Sequence, residues 1–195
     1  MNAAPMLIAL LAAGQAGAQV PAWWKAFTAS PRLESRFTQT SESAVFGQLK
    51  RTGLLRLARG GKLRVDYHQG LLLVADGTSL VQYDPSTRTA QKVDIQGALK
   101  DAPLLAVLLD PAALERVYTV KPGPGADAFS LEPRAKGLPP VALTGRGGLP
   151  RSLAWTDPTG ARQVLTFEDP RVPGKPFEGS LFTFKAPAGT RWLKP

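Results

Sequence analysis

The sequence predicts a mainly β, α+β domain: one unclosed, strongly curved antiparallel barrel of about eleven strands, with helices against its concave side. Three observations carry this. Glycine (19) and proline (18) make up close to a fifth of the 195 residues, which suits many short strands joined by turns better than a helical bundle. Most of the chain alternates apolar and polar residues with period two, the mark of antiparallel strands covered on one side. A single apolar segment, Leu99 to Val117, breaks that period and reads as helical.

In chain order, the apolar run Pro5 to Ala13 is too short to span a bilayer and is followed by Ala16-Gly17-Ala18, the small-residue pattern of a secretory signal cleaved after Ala18. Residues 1–18 are therefore expected to be removed, leaving 19–195 as one domain outside the cytoplasm. Pro21 to Ala29 predicts a short helix, with proline near its start and Trp23, Trp24 and Phe27 at turn-compatible spacing. Alternation then sets in around Phe37 and Gln39. It continues with Leu55 and Leu57 against Thr52 and Arg56, and with Leu63, Val65 and Tyr67 against Lys62, Arg64, Asp66 and His68.

Strands follow at Leu71 to Ala75, Ser79 to Tyr83 and Gln91 to Ile95, with turns at Asp76-Gly77 and Asp84-Pro85. Asp101 and Asp110 read as caps of two helices, each followed closely by proline. The first of these helices, through Leu104, Leu105 and Leu108, is apolar on nearly all faces and so needs apolar surroundings on several sides. Strands resume at Arg116 to Lys121, Ala128 to Glu132, Val141 to Thr144, Ser152 to Thr156, Gln163 to Glu168 and Ser180 to Phe184.

The composition excludes much chemistry. Without cysteine there is no disulfide, thiolate zinc site or thiol nucleophile, and the single histidine, His68, cannot build a histidine metal site. His68 lies on the polar side of its strand, Asp76 and Asp84 are turn formers, and no catalytic or phosphate-cradling motif is present. No enzyme activity, metal or cofactor is expected. The net charge of +9 points to an anionic partner.

Three segments in order, Ser35 to Thr40, Gly53 to Tyr67 and Leu73 to Asp84, resemble the LolA family of periplasmic carriers for outer-membrane lipoproteins. The Ala102-Pro103-Leu104 helix start, Leu149 to Leu153, and Phe182 to Thr190 follow in the family's order. The resemblance implies that the helices form a lid over an apolar cavity that receives acyl chains. It implies a monomeric periplasmic carrier that takes lipoproteins or related lipids from an inner-membrane lipoprotein-releasing transporter to an outer-membrane acceptor. It places Arg59 at the family arginine that latches the lid through hydrogen bonds to lid backbone, although Gly60-Gly61 follow here where the family usually has proline.

The cavity residues expected on this basis are Phe37, Leu55, Leu57, Leu63, Val65, Tyr67, Val74 and Tyr83 from the first strands and Leu104, Leu105 and Leu108 from the lid. Trp155, Phe167, Phe182 and Phe184 are expected from the last strands. A competing reading of the same fold is a periplasmic regulatory or sensor domain that binds a protein or senses lipid. Nucleic acid is not an expected partner, because the basic residues lack interleaved aromatic platforms. Lys50, Arg56, Lys62 and Arg64 fall on the outward register, so the charge predicts transient contact with anionic membrane surfaces.

Overall fold

The computed structural model describes residues 20–95, 107–109, 111, 114–134 and 136–194. The predicted signal segment, Leu104 and Leu105 lie outside these residues. The chain opens with helix α1 (Ala22–Ala29), followed by β1 (Arg32–Ser43), β2 (Gly47–Ala58), β3 (Lys62–Tyr67), β4 (Leu72–Asp76), β5 (Ser79–Asp84) and β6 (Thr89–Asp94). A helical stretch at 107–109 and the short helix α2 (Leu114–Val117) precede β7 (Tyr118–Pro122), β8 (Ala128–Pro133), β9 (Val141–Arg146), β10 (Leu149–Thr156) and β11 (Arg162–Arg171). A 3-10 turn at Gly179–Phe182 and a three-residue strand, β12 (Arg191–Leu193), complete it.

The twelve strands of the described residues form one sheet in the order β12-β6-β5-β4-β3-β2-β1-β11-β10-β9-β8-β7. The ends of the chain of pairings, β12 and β7, do not meet, so the curled sheet is an unclosed barrel. Every pairing is antiparallel except β12 on β6, which is parallel. Two long strands, β1 and β2, lie at the centre and are paired over their full twelve residues from Arg32–Ala58 to Ser43–Gly47.

Three details differ from the sequence expectation. Ser180 to Phe184 is a 3-10 turn and extended chain rather than a strand, because its aromatic residues lie down on an existing sheet face instead of pairing at an edge. The added strand is Arg191–Leu193, too short to show any period. Arg116 belongs to α2, and β7 begins only at Tyr118.

Register fixes which residues share a face. Across the concave side one row runs Leu33, Leu57, Leu63, Ala75, Leu80 and Val93, each opposite the next. On the other half a row runs Gln39, Leu165, Leu153, Leu143 and Phe129. These rows, with α1 and residues 107–109, make the main core. Val107, Leu108 and Leu109 are all buried. Three consecutive helical residues span about 200° of helix circumference, so this segment is enclosed on most of its faces.

Helix α1 ends where Pro31 cannot continue it, and it packs Trp23, Trp24 and Phe27 onto the sheet. Trp23 donates its indole Nε1–H to the Asp127 carbonyl at 3.0 Å, and its ring occupies the space a Cβ on Gly145 of β9 would fill. Trp23, Trp24 and Phe129 form a cluster with ring centroids 5.4 to 5.6 Å apart. Gly53 of β2 plays the same part for Phe37, whose ring lies where a side chain at that position would stand.

Candidate functional site

The concave face is built from the inward residues of the central strands. Phe37, Leu55, Leu57, Leu63, Val65 and Phe167 are buried there, Leu108 reaches the same cluster from the helical segment, and Tyr67 and Trp155 are half-buried at its margin. These nine expected cavity residues are brought together.

Val74, Tyr83, Phe182 and Phe184 are not. The alternation that turns Leu73 and Ala75 inward turns Val74 outward, into a convex row of Glu34, Arg56, Arg64, Val74, Val81 and Lys92. Beside it, Tyr83 stands opposite Ala90, which stands opposite Trp192. The C-terminal segment lies over this outer face, where Phe184 contacts Tyr83 at 5.4 Å and Trp192 at 6.0 Å between ring centroids. Phe182 is buried against β3 and β4, with Phe177 at 5.8 Å. These four residues are corrected from cavity lining to a second apolar cluster on the convex side. The cause is that β4 and β5 are covered on both faces.

Arg59 leaves the end of β2 and reaches the C-terminus of α1. Its Nε donates to the Ser30 carbonyl at 2.7 Å, its Nη2 donates to the Phe27 carbonyl, and its guanidinium carbon stands 5.0 Å from the centre of the Phe27 ring. The Phe27 carbonyl also accepts the Ser30 amide in the closing turn and Ser30 is the C-cap, so the guanidinium sits at the helix C-terminus, where a cation meets the negative end of the helix dipole. Nη1 is buried and finds no partner among the described residues. Burial pulls the Arg59 pKa below the ordinary guanidinium value. The glycines that follow have a use: Gly60 and Gly61 both take positive φ, and a Cβ on Gly77, in the β4–β5 turn, would come 2.5 Å from the Gly60 carbonyl oxygen. The turn that follows Arg59 and the β4–β5 turn are thus pressed together.

Toward the opposite end the concave face becomes polar. The Tyr67 ring packs edge-on against Phe37 at 5.2 Å, and its hydroxyl donates to Gln39 Oε1 at 2.9 Å. Burial raises the Tyr67 pKa, opposed in part by the nearby Arg51. Gln39 donates to Gln163 Oε1 at 3.3 Å, and Gln163 donates to Ser41 Oγ at 2.7 Å and Asp157 Oδ2 at 2.8 Å. With Leu49, Arg51 and Trp155 these residues line a hollow of about 390 Å³. The sequence reading did not single out Gln39, Ser41, Arg51 or Gln163, yet period two places Gln39 and Ser41 on the same face as Phe37.

On the convex side Glu34 accepts from Arg56 and Arg171, and Asp66 accepts from Arg56 and Arg64. This holds Glu34 below the usual carboxylate range, the Arg171 hydrogen bond being the largest cause. His68 sits on the same side, its Nδ1 3.0 Å from the Thr52 hydroxyl.

The described residues thus build one curled, unclosed antiparallel sheet whose apolar concave face lies under helical cover. The family model for the outer membrane lipoprotein carrier protein LolA matches residues 29–185, and the chain belongs to the LolA family. Members of this family are periplasmic carrier proteins, not enzymes. An outer-membrane lipoprotein carrier protein of Cupriavidus pinatubonensis (strain JMP 134 / LMG 1197) is 28% identical over 176 residues, covering 83% of this chain and 80% of the relative. One from Cupriavidus necator is 28% identical over 150 residues, covering 73% and 70%. Among solved structures, an uncharacterized conserved protein from Thermus thermophilus shares the fold with a TM-score of 0.52 at 10% identity, covering 86% of this chain and 92% of that one.

Proposed function

We propose that the chain is a periplasmic carrier that holds the acyl chains of a lipoprotein, or of a related lipid, against its concave face. It takes them from an inner-membrane releasing transporter and surrenders them to an outer-membrane acceptor, after export and loss of residues 1–18. The observation that carries this reading is the contrast between the faces of the central strands. Leu57, Leu63 and Phe37 point into the covered concavity, while Arg56, Arg64 and Arg36 point outward on the same strands. An acyl chain gains about 0.8 kcal/mol per buried methylene, so an apolar, coverable concavity supplies what a lipid needs to cross an aqueous space.

In this reading α1 and the helical segment at 107–109 are the lid, and Arg59 is its latch. A latch must hold and also release. Two charge-assisted hydrogen bonds hold α1, and an unpartnered buried Nη1 offsets part of their gain, since a buried donor left unpaired costs about 1–3 kcal/mol.

The direct test is to incubate the purified protein with inner-membrane vesicles carrying a triacylated lipoprotein. A soluble complex of the two, with acyl chains recovered by mass spectrometry of the extracted protein, is expected. A protein that releases no lipoprotein and extracts free of lipid would reject the reading.

A further inference from the structure

The hairpin joining β1 and β2 presents an apolar tip that no described residue covers. Val45 is 80% exposed, Phe46 90% and Leu49 53%, beyond the other large hydrophobic side chains of the described residues. On one flank β3 pairs with β2 only as far as Gly53–Tyr67, with one further bond from the His68 amide to the Thr52 carbonyl. The five residues Gly47 to Arg51 therefore run on unflanked, about 17 Å of strand at roughly 3.4 Å per residue. On the other flank the ladder continues to Glu42–Arg162, beyond which only the turn remains. The tip ends just outside the polar hollow of Gln39, Arg51, Trp155 and Gln163, to which Leu49 also contributes.

We infer that the Val45–Phe46 turn is a membrane-touching probe that inserts into the interface of an anionic lipid bilayer and brings the polar mouth of the concavity to the membrane surface. Two features select a lipid surface over a protein strand. The open edge of β2 carries Lys50 and Arg51, charged residues that discourage strand addition, while the apolar side chains sit in the turn itself, where a flat interface reaches them first. Lys50, Arg51 and Arg162 outnumber Glu42 and Asp157 at this end, and the chain as a whole carries +9. Exposed cations behind an apolar tip match anionic headgroups above acyl chains. The inference rests on the carrier reading for its purpose only, because the empty protein is expected to bind vesicles.

With no cysteine in the chain, F46C bearing an environment-sensitive fluorophore reports on the tip directly, and A186C in the exposed C-terminal segment serves as the reference. Vesicles of equal phosphatidylglycerol and phosphatidylcholine are expected to blue-shift the label at 46 and leave that at 186 unchanged. High salt is expected to weaken the shift, and pure phosphatidylcholine to give much less. In flotation with the same vesicles, the V45S/F46S double variant is expected to bind about tenfold more weakly, with unchanged thermal unfolding. Unchanged vesicle binding by V45S/F46S, equal shifts at both labels, or a shift at 46 without vesicles through self-association would each overturn the inference. Uptake of an acylated probe is measured separately. A variant that keeps uptake but loses vesicle binding supports the tip assignment, and wild-type protein that binds vesicles but takes up no acyl probe supports the tip while rejecting the carrier.

Discussion

The Arg59 guanidinium lies 5.0 Å over the ring of Phe27 while its Nε and Nη2 donate to the carbonyls of Ser30 and Phe27, so one side chain just past the end of β2 grips both the backbone and the buried face of the α1 terminus. The fork geometry is what lets it serve two carbonyls at once, and a lysine has the charge without the fork. Arg59→Leu is expected to lower the opening free energy of α1 by about 2–3 kcal/mol, the loss of two charge-assisted hydrogen bonds less the penalty of the unpaired Nη1. Arg59→Lys should fall between. Amide hydrogen exchange in residues 24–30 reads this directly: faster exchange confined to α1 is expected, and exchange unchanged in both variants would remove the latch role.

Trp23 and Gly145 constrain α1 from its other end. A Cβ on Gly145 would lie 2.2 Å from Trp23 Cδ2, so Gly145→Ala must displace the indole and break its bond to the Asp127 carbonyl. Overpacking of this kind costs about 1–3 kcal/mol, measurable as a fall in the urea midpoint. Because the two residues touch, Trp23→Leu combined with Gly145→Ala should cost less than the sum of the single changes, and strict additivity would contradict the contact.

How much of this was legible in the sequence depended on whether a strand is covered on one side or two. In β2 and β3, polar residues alternate with Leu55, Leu57, Leu63 and Val65, and the period alone places the inner face. In Leu71-Leu72-Leu73-Val74-Ala75 every position is apolar, because the C-terminal segment covers the outer face as the helices cover the inner, and period two carries no information. Phe182 and Phe184 misled for a related reason, since their spacing fits a strand, but on the far side Phe182 meets Phe177 while Phe184 meets Tyr83 and Trp192. The polar hollow was readable in principle, since Gln39 and Ser41 continue the register of Phe37. A polar side chain at an inward position simply does not look like core.

The separation of the two faces predicts opposite functional outcomes from one chemical change. Phe37→Leu and Phe182→Leu each remove a buried ring edge, and each should cost about 1–2 kcal/mol of stability. Only Phe37→Leu, on the concave face, is expected to change affinity for a fluorescent fatty-acid probe, by several-fold. Equal effects of both variants on probe binding would mean that the convex cluster shares in the ligand site.

Acid lability follows from the turns. Asp76 Oδ1 accepts the backbone N–H groups of Ser79 and Thr78, both at 2.8 Å, and these bonds hold its carboxyl below the ordinary value. Asp157 is held down likewise, first by the Thr159 hydroxyl. A carboxylate whose pKa is lower folded than unfolded contributes stability that is complete above the unfolded value, about 4, and is lost as pH falls through the folded one. Stability should thus be flat with respect to these groups from about pH 6 upward and decline below about pH 4. Asp76→Ala tests the assignment: at pH 7 it removes the acceptor and should cost about 1 kcal/mol, the usual worth of such a bond. At pH 3 wild type has already lost part of that contribution, so the gap between the two urea midpoints should narrow; a gap that stays constant or widens with acid would mean that the Asp76 charge plays no part in holding the β4–β5 turn against Gly60.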